Sequence, residues 1–376
     1  MIKNFTSSHD QGGQAILEIK EKIFAHKDQS PKLAIFFVSS SYNLDEIKVH
    51  LREIEKIVPL AVCTTSGEIA NRRMIENSMT CQLYCGEEFS IDRFLFTDIK
   101  DFPNSSHADK LKEIEILASP HSAHDTFGIL LIDGLSVKEE IVTGCLGNSL
   151  GNIELIGGSA GDHLNFSQTF IFDGNDFIEN SAIFILINTT RKFKLFKSQH
   201  FIPTDDKFVI TSANPAERIV YEINGIPATD AMCNFLNISK DELTPEVFGK
   251  YPLMINIAGE YYVRSMQQAN EDKSITFFCA IEEGLVMMIA GKGDIYSCNT
   301  NFIKEAIDDL GEIDCSLFFE CILRKLEIEE LPLEARNNID KQYEFCHSTG
   351  FYTYGEQYKS VHINQTITGV FFEKQR

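Results

Sequence analysis

Apolar residues recur with two different periods along the first half of the chain. Gln14–Ala25, "QAILEIKEKIFA", spaces them at helical intervals and gives way to polar "HKDQSPK", which predicts an amphipathic helix and a loop. "LAIFFVSS" is a short apolar run of strand length, and "NLDEIKVHLREIEKIV" returns to a period of about 3.6 residues. The same alternation continues through "PLAVCTTSGEI", "HDTFGILLIDGLS", "VKEEIVTGCLGNSLG" and "IELIGGSAGD". Strands that alternate with helices and end in small-residue loops predict an α/β or α+β core.

"QTFIFDGNDFIENSAIFILI" reads as a hairpin, because Asp173-Gly174-Asn175 supplies turn chemistry between two β-rich runs. In the second half "SITFFCAI" and "LVMMIA" flank Glu282-Glu283-Gly284 and predict a second hairpin. A basic stretch, "NTTRKFKLFK", separates the two styles and places a domain boundary near residue 200, giving domains 1–200 and 201–376. At 376 residues the chain is long enough for two ordinary cores. The expected fold class is α+β, with two related domains, each a mixed or mainly antiparallel sheet with flanking helices.

The relation between the halves rests on an internal echo. "TTSGEIANRRMIENSMTCQLYC" and "TYGEQYKSVHINQTITGVFF" align without a gap at an offset of 288. Thr65 meets Thr353, Gly67 meets Gly355, Glu68 meets Glu356, Ser78 meets Thr366 and Thr80 meets Thr368, and both copies run on into strand-like residues.

Composition narrows the function. A balance of 34 Lys+Arg against 55 Asp+Glu, a formal charge of −21, repels a phosphate backbone, so nucleic acid is excluded as a partner. No apolar run approaches the ~20 residues of a membrane span, and the N-terminus lacks an apolar signal-peptide core, which together predict a cytoplasmic protein. The ten cysteines include no CxxC pair, since Cys81 and Cys85 are separated by three residues and Cys315 and Cys321 by five. They read as buried free thiols of a reducing compartment, and the absence of CxxCH excludes a c-type haem.

Candidate chemistry gathers at Gly350–Thr366, "GFYTYGEQYKSVHINQT". Val361 and Ile363 alternate with His362 and Asn364, so the imidazole and the amide share one strand face, and Tyr354, Glu356 and Tyr358 alternate earlier in the run. One imidazole among apolar walls and a few polar groups suits a small-molecule or haem site. His362 is the expected ligand contact, Glu356 and Asn364 its orienting partners, Tyr354 part of the wall, and His347 the reserve. The contrast with the echo supports this choice, because Met74 stands where the C-terminal copy has His362. "LIGGSAGD" leaves backbone amides open to a ligand but is neither GxGxxG nor a P-loop. Cys346-His347 and Cys321-Ile322-Leu323-Arg324 place thiols near an imidazole and a guanidinium, which keeps a Cys or Ser hydrolase open as an alternative.

With these residues in view the chain resembles the FIST family, bacterial sensory proteins with an N-terminal and a C-terminal FIST domain. The features are "TTSGEI", "LIGGSAGD", "AERIVYEINGIPATDAM", "YYVRS", "CAIEEGLVMM", "CSLFFECILR" and "GFYTYGEQYKSVHINQT". The resemblance implies a ligand-sensing module rather than an enzyme. One branch is similar to haem-binding nitric oxide sensors that act on a separately encoded histidine kinase or cyclic-di-nucleotide signalling enzyme. That branch implies haem as cofactor, His362 as its iron ligand, and a possible homodimer. A small metabolite such as an amino acid, sensed without haem, is the alternative.

Overall fold

The computed structural model describes residues 1–70 and 77–375. Its architecture is mixed α+β. The first 85 residues form β1 (Ile2–Ser7), α1 (Gly12–Phe24), β2 (Pro31–Ser39), α2 (Leu44–Glu55), β3 (Leu60–Thr65), β4 (Glu68–Ala70) and β5 (Met79–Cys85). The chain then repeats the pattern with β6 (Phe89–Thr97), α3 (Ser105–Ala118), β7 (Thr126–Ile132), α4 (Glu139–Leu150), β8 (Leu155–Ser159), the hairpin β9 (Ile171–Phe172) and β10 (Phe177–Ile178), and β11 (Ser181–Thr189).

β12 (Phe193–Ser198) opens a further copy, which an inserted unit interrupts. The insertion comprises β13 (Phe201–Asn214), β14 (Ile219–Ile223), β15 (Ile226–Pro227), α5 (Ala228–Leu236), α6 (Pro245–Lys250), β16 (Leu253–Ile257), β17 (Glu260–Arg264), β18 (Met266–Ala269), β19 (Ile275–Phe277) and β20 (Val286–Lys292). The copy resumes with α7 (Ile295–Leu310), β21 (Ile313–Cys321), α8 (Ile322–Glu329), α9 (Leu333–Phe345), β22 (Ser348–Thr353), β23 (Glu356–Tyr358), β24 (Val361–Ile363) and β25 (Ile367–Glu373).

The three copies share one strand order: β1-β5-β2-β3, β6-β11-β7-β8 and β12-β25-β21-β22. In each, the second strand runs antiparallel to both neighbours, and the last two strands are parallel. Each sheet is extended by an antiparallel strand lent by another copy. β9 adds to β3, β23 adds to β8 and β4 adds to β22, so the exchange closes into a ring. The echo at offset 288 thus joins the first and third copies, and the middle copy extends the same repeat.

Burial on both faces explains why the strands read as unbroken apolar runs. Leu33, Ile35 and Phe37 point into a core shared with Ile129 and Leu131 of the second copy and Leu317, Phe319 and Phe351 of the third. The intervening Ala34, Phe36 and Val38 face outward onto Ile16, Ile19, Leu51 and Ile54 of α1 and α2. Phe37 stacks on Phe351 at 4.7 Å and meets Phe319 edge-on at 6.2 Å, which locks two copies together.

One expectation is corrected here. The runs flanking Glu282-Glu283-Gly284 are β19 and β20, and they do not pair. β20 lies between β13 and β16, whereas β19 lies between β14 and β18. The 14-residue β13 reaches across the insertion and takes the position beside β20, so local turn chemistry loses to a long-range ladder. The first expected hairpin does form, as β9 and β10. Among the described residues no helix is long and apolar enough to cross a membrane.

Candidate ligand site

Three equivalent turns meet where the copies exchange strands: Thr65-Ser66-Gly67-Glu68, Ser159-Ala160-Gly161-Asp162 and Thr353-Tyr354-Gly355-Glu356. Their backbones clasp one another. Ser66 N donates to Tyr352 O at 3.0 Å, Gly161 N to Thr64 O at 3.1 Å and Ser159 N to Gly355 O at 2.9 Å. A methyl on Gly161 would sit 2.1 Å from Ser66 Oγ, so this approach needs glycine.

Two of the turns hold a buried glutamate in the same bracket. Thr65 and Ser78 donate to Glu68, the Ser78 contact being 2.6 Å; Thr353 and Thr366 donate to Glu356, with Thr366 Oγ1 at 2.6 Å. Burial pushes both carboxyls up to about 8, against the hydrogen bonds that favour ionisation. The folded pKa exceeds the unfolded one, so this stabilising contribution is complete below about pH 4.5 and is lost as pH rises through 8. Urea unfolding from pH 5 to 9 is expected to show falling stability, and Glu68→Gln with Glu356→Gln to flatten the slope. An unchanged slope in the double variant would contradict this assignment.

The third turn departs from the other two. Asp162 accepts from Phe166 N, Ser167 N, Ser167 Oγ and Gln168 N, each at 2.9 Å, and from the Tyr354 hydroxyl. Burial opposes ionisation, yet these bonds, Tyr354 foremost, hold its carboxyl below the usual range. The carboxylate thereby organises the loop that follows and presents Leu164 and Phe166 to a cleft. Tyr354 stacks on Phe166 at 4.6 Å.

The cleft lies between the repeat core and the insertion and has a volume of about 550 Å³. Phe166, Phe201, Met266, Phe278, Leu323 and Leu326 supply its apolar wall, and Lys292–Glu327 and Lys250–Glu330 pairs stand at its edge. A second chamber of about 140 Å³ adjoins it, with Glu139, Arg218 and Tyr354 in its wall. Phe166, Gln267 and Phe278 line both spaces, so the two are neighbours across these side chains.

Arg218 fastens the insertion to α4. Its Nη2 donates to Glu139 and Glu140 at 2.7 Å each and its Nη1 to Phe278 O at 2.9 Å, while its buried Nε has no hydrogen-bond partner. Burial raises Glu139 to about 7 despite Arg218. Val137, His163, Phe166 and Arg218 all take positive φ, between 49° and 63°. Such strain gathers where a binding site is held in shape, and a β-branched valine in this region is a clear outlier.

The residues singled out by sequence are divided by the structure. His362 and Asn364 do share a side of the hub and both approach Gly355: a methyl there would lie 2.3 Å from His362 Cε1 and 3.1 Å from Asn364 Nδ2. Gln357, not Glu356, sits beside the ring, with Nε2 3.4 Å from His362 Nδ1. Glu356 turns away into its Thr353–Thr366 bracket. Burial lowers His362 to about 4, Glu140 opposing and Arg218 and Arg264 reinforcing the shift, so the ring is neutral near pH 7. His347 is exposed at the other end of β22, about 20 Å along the strand, and is not brought near His362. The comparison position Met74 falls outside the described residues.

Neither the cleft nor the chamber is lined by a histidine or cysteine. Among the described residues no group of three or more His, Cys, Asp or Glu could hold a metal ion. Of the side chains that ligate haem iron in proteins, the cleft wall holds Met266 and the chamber wall Tyr354, while Gly355 packs close against His362. Cys321 and Cys346 are buried and their thiols are pushed up by burial, far from the activation a nucleophile needs. Arg324 binds Glu320 rather than Cys321.

Sequence reasoning missed Arg218, Glu139, Phe278 and Gln357 as site residues. The acidic pair in "VKEEIV" and the arginine in "AERIVYE" are 78 residues or more apart, and no local pattern announces that they meet. The shared T/S-x-G-acid signature of the three turns was the available signal for the hub.

A FIST N domain model matches residues 32–226, and a FIST C domain model matches residues 228–359. An uncharacterized protein of Methanocaldococcus jannaschii is 24% identical over 391 residues, covering 90% of this chain and 73% of that protein. Among solved structures, T. maritima PurL complexed with FGAR aligns over 99% of this chain and 72% of its own at 8% identity, but its TM-score of 0.22 is too low to support an argument. Matched along nearly its whole length by the two models in order, the chain belongs to the FIST family, a membership consistent with a sensory role in signal transduction.

Proposed function

We propose that this protein is a non-enzymatic sensor of a small metabolite, bound in the cleft between the repeat core and the inserted unit. The observation that carries the reading is the neighbouring pair of spaces, a largely apolar cleft of about 550 Å³ that shares wall residues with a more polar chamber of about 140 Å³. Apolar walls with a few placed polar groups are the usual composition of a small-molecule site. A ligand there contacts both bodies at once and biases how the insertion sits on the core, because Arg218, Arg264 and Ser265 of the insertion all bond to core groups. The output partner in this reading is a separately encoded histidine kinase or cyclic-di-nucleotide enzyme.

Haem-dependent nitric oxide sensing is the second reading, and it rests on His362, a buried imidazole that burial keeps neutral near pH 7, the form that ligates iron. One set of titrations separates the two. Thermal unfolding is followed with free amino acids, with their C-terminal amides and with haemin, in the wild-type protein and in Gln267→Trp, which enlarges a side chain in the wall that both spaces share. A saturable rise in Tm with a metabolite, lost in Gln267→Trp, is expected. A stoichiometric Soret band that disappears in His362→Ala, with no metabolite response, would overturn the metabolite reading in favour of haem.

A further inference from the structure

The wall of the cleft carries one side-chain amide whose hydrogen bonds the protein leaves unmade. We propose that Gln267 is the specificity-determining residue of the sensor, and that the ligand bears an uncharged amide whose N–H and C=O both pair with the Gln267 side chain while an apolar tail lies along the rest of the cleft. This inference rests on the cleft being the ligand site.

An irregularity in a β-ladder puts Gln267 there. β18 pairs with β19 at the edge of its sheet, Met266 opposite Phe277 and Gln268 opposite Thr276, which makes Gln267 the extra residue of a β-bulge. In a regular strand Met266 and Gln267 would point to opposite faces. A bulge re-aims a side chain, and here both residues border the cleft, Gln267 half-buried beside Phe166 and Phe278. Among the described residues Gln267 is the sole uncharged polar side chain of the cleft wall, and its amide bonds to none of them.

The charged side chains of the cleft are already engaged. Lys292 pairs with Glu327 and Lys250 with Glu330, Lys325 stands 3.9 Å from Glu329, and Glu246 accepts from Thr244. A glutamine amide presents an acceptor oxygen next to two N–H donors. A carboxylate head answers the donors alone and an ammonium head the acceptor alone, and each gives up its hydration against Met266, Phe166 and Phe278 for one neutral partner. An amide answers donor and acceptor together and brings no charge. Leu164, Leu323 and Leu326 continue the wall and favour an apolar tail.

The test uses four probes that differ only in the head: heptanamide, N,N-dimethylheptanamide, which has no N–H, heptanoate and heptylamine, titrated into the full chain by calorimetry. The expected result is saturable binding of heptanamide, with the other three about tenfold weaker, the scale of one or two neutral hydrogen bonds. Gln267→Leu, close in size but without the amide, is expected to bind heptanamide no better than its dimethyl analogue, and Gln267→Glu to shift the preference to heptylamine. Equal or tighter binding of any other probe by the wild-type protein, or an undiminished preference for heptanamide in Gln267→Leu, would overturn the role of Gln267 and leave the cleft reading standing. No binding of any probe, with unchanged emission in Phe166→Trp, would overturn the cleft reading and this inference with it. The wild-type series decides the matter even if the variants do not fold.

Discussion

Replacing Arg324 with methionine is expected to cost about 3–5 kcal/mol of stability, read from urea unfolding, because it strands a charge inside the protein. Arg324 and Glu320 are both fully buried and joined at 2.7 Å. Tyr343 donates to the second carboxylate oxygen at 2.7 Å, and Arg324 also reaches His200 Nδ1 at 3.2 Å and Asn299. Without the guanidinium, Glu320 keeps one neutral donor and no cation. The double variant Arg324→Met with Glu320→Gln is expected to recover much of the loss, since a buried pair removed together leaves no uncompensated charge. Arg324→Met within 1 kcal/mol of wild type would show that the network is solvated in a way the structure does not indicate.

The second large effect is expected at Gly157, where alanine should destabilise by about 3 kcal/mol or more, at the upper end of overpacking. Gly157 pairs with Leu130 in the parallel β7–β8 ladder, and its added methyl would lie 2.1 Å from Leu130 O and 2.9 Å from Gln357 Oε1. A backbone carbonyl inside a sheet cannot step aside as a flexible side chain can. Gly144 in α4 is the control, because a methyl there meets nothing within 4 Å and helix propensity favours alanine by about 0.5–1 kcal/mol. Opposite signs for the two substitutions are expected. A mild effect at Gly157 would mean that β7 and β8 are less closely joined than the structure has them.

These two positions also show what was legible in the sequence. The strand and helix runs of the first half announce themselves, since each strand is buried on both faces and each helix on one; β2, α2, β7 and β8 fall where the apolar patterns place them. The pairing of Glu68 with Glu356 could be read because both copies kept Thr-x-Gly-Glu and the same spacing to the following hydroxyl. The middle copy was hidden by its shorter residues, Ser159-Ala160-Gly161-Asp162, and by a longer connection that the ligand-facing loop requires. The insertion obscured the third copy in the same way, placing β13 to β20 between β12 and α7. His362 attracted the reading by residue type, yet what a strand face cannot reveal is which neighbouring copy covers it. Arg218 and Glu139 became visible only when the fold brought them together.

The most direct measurement of the central proposal, that a small molecule occupies the cleft against the loop organised by Asp162, uses a feature of composition. The chain contains no tryptophan, so Phe166→Trp introduces a single emission reporter into the wall shared by cleft and chamber. Phe345→Trp, at a position 55% exposed on α9, is the reference. Titration with heptanamide and with amino-acid amides is expected to shift and saturate the emission of the tryptophan at 166 while leaving the one at 345 unchanged. Saturation at 345 with silence at 166 would place the ligand elsewhere on the protein and contradict the proposal.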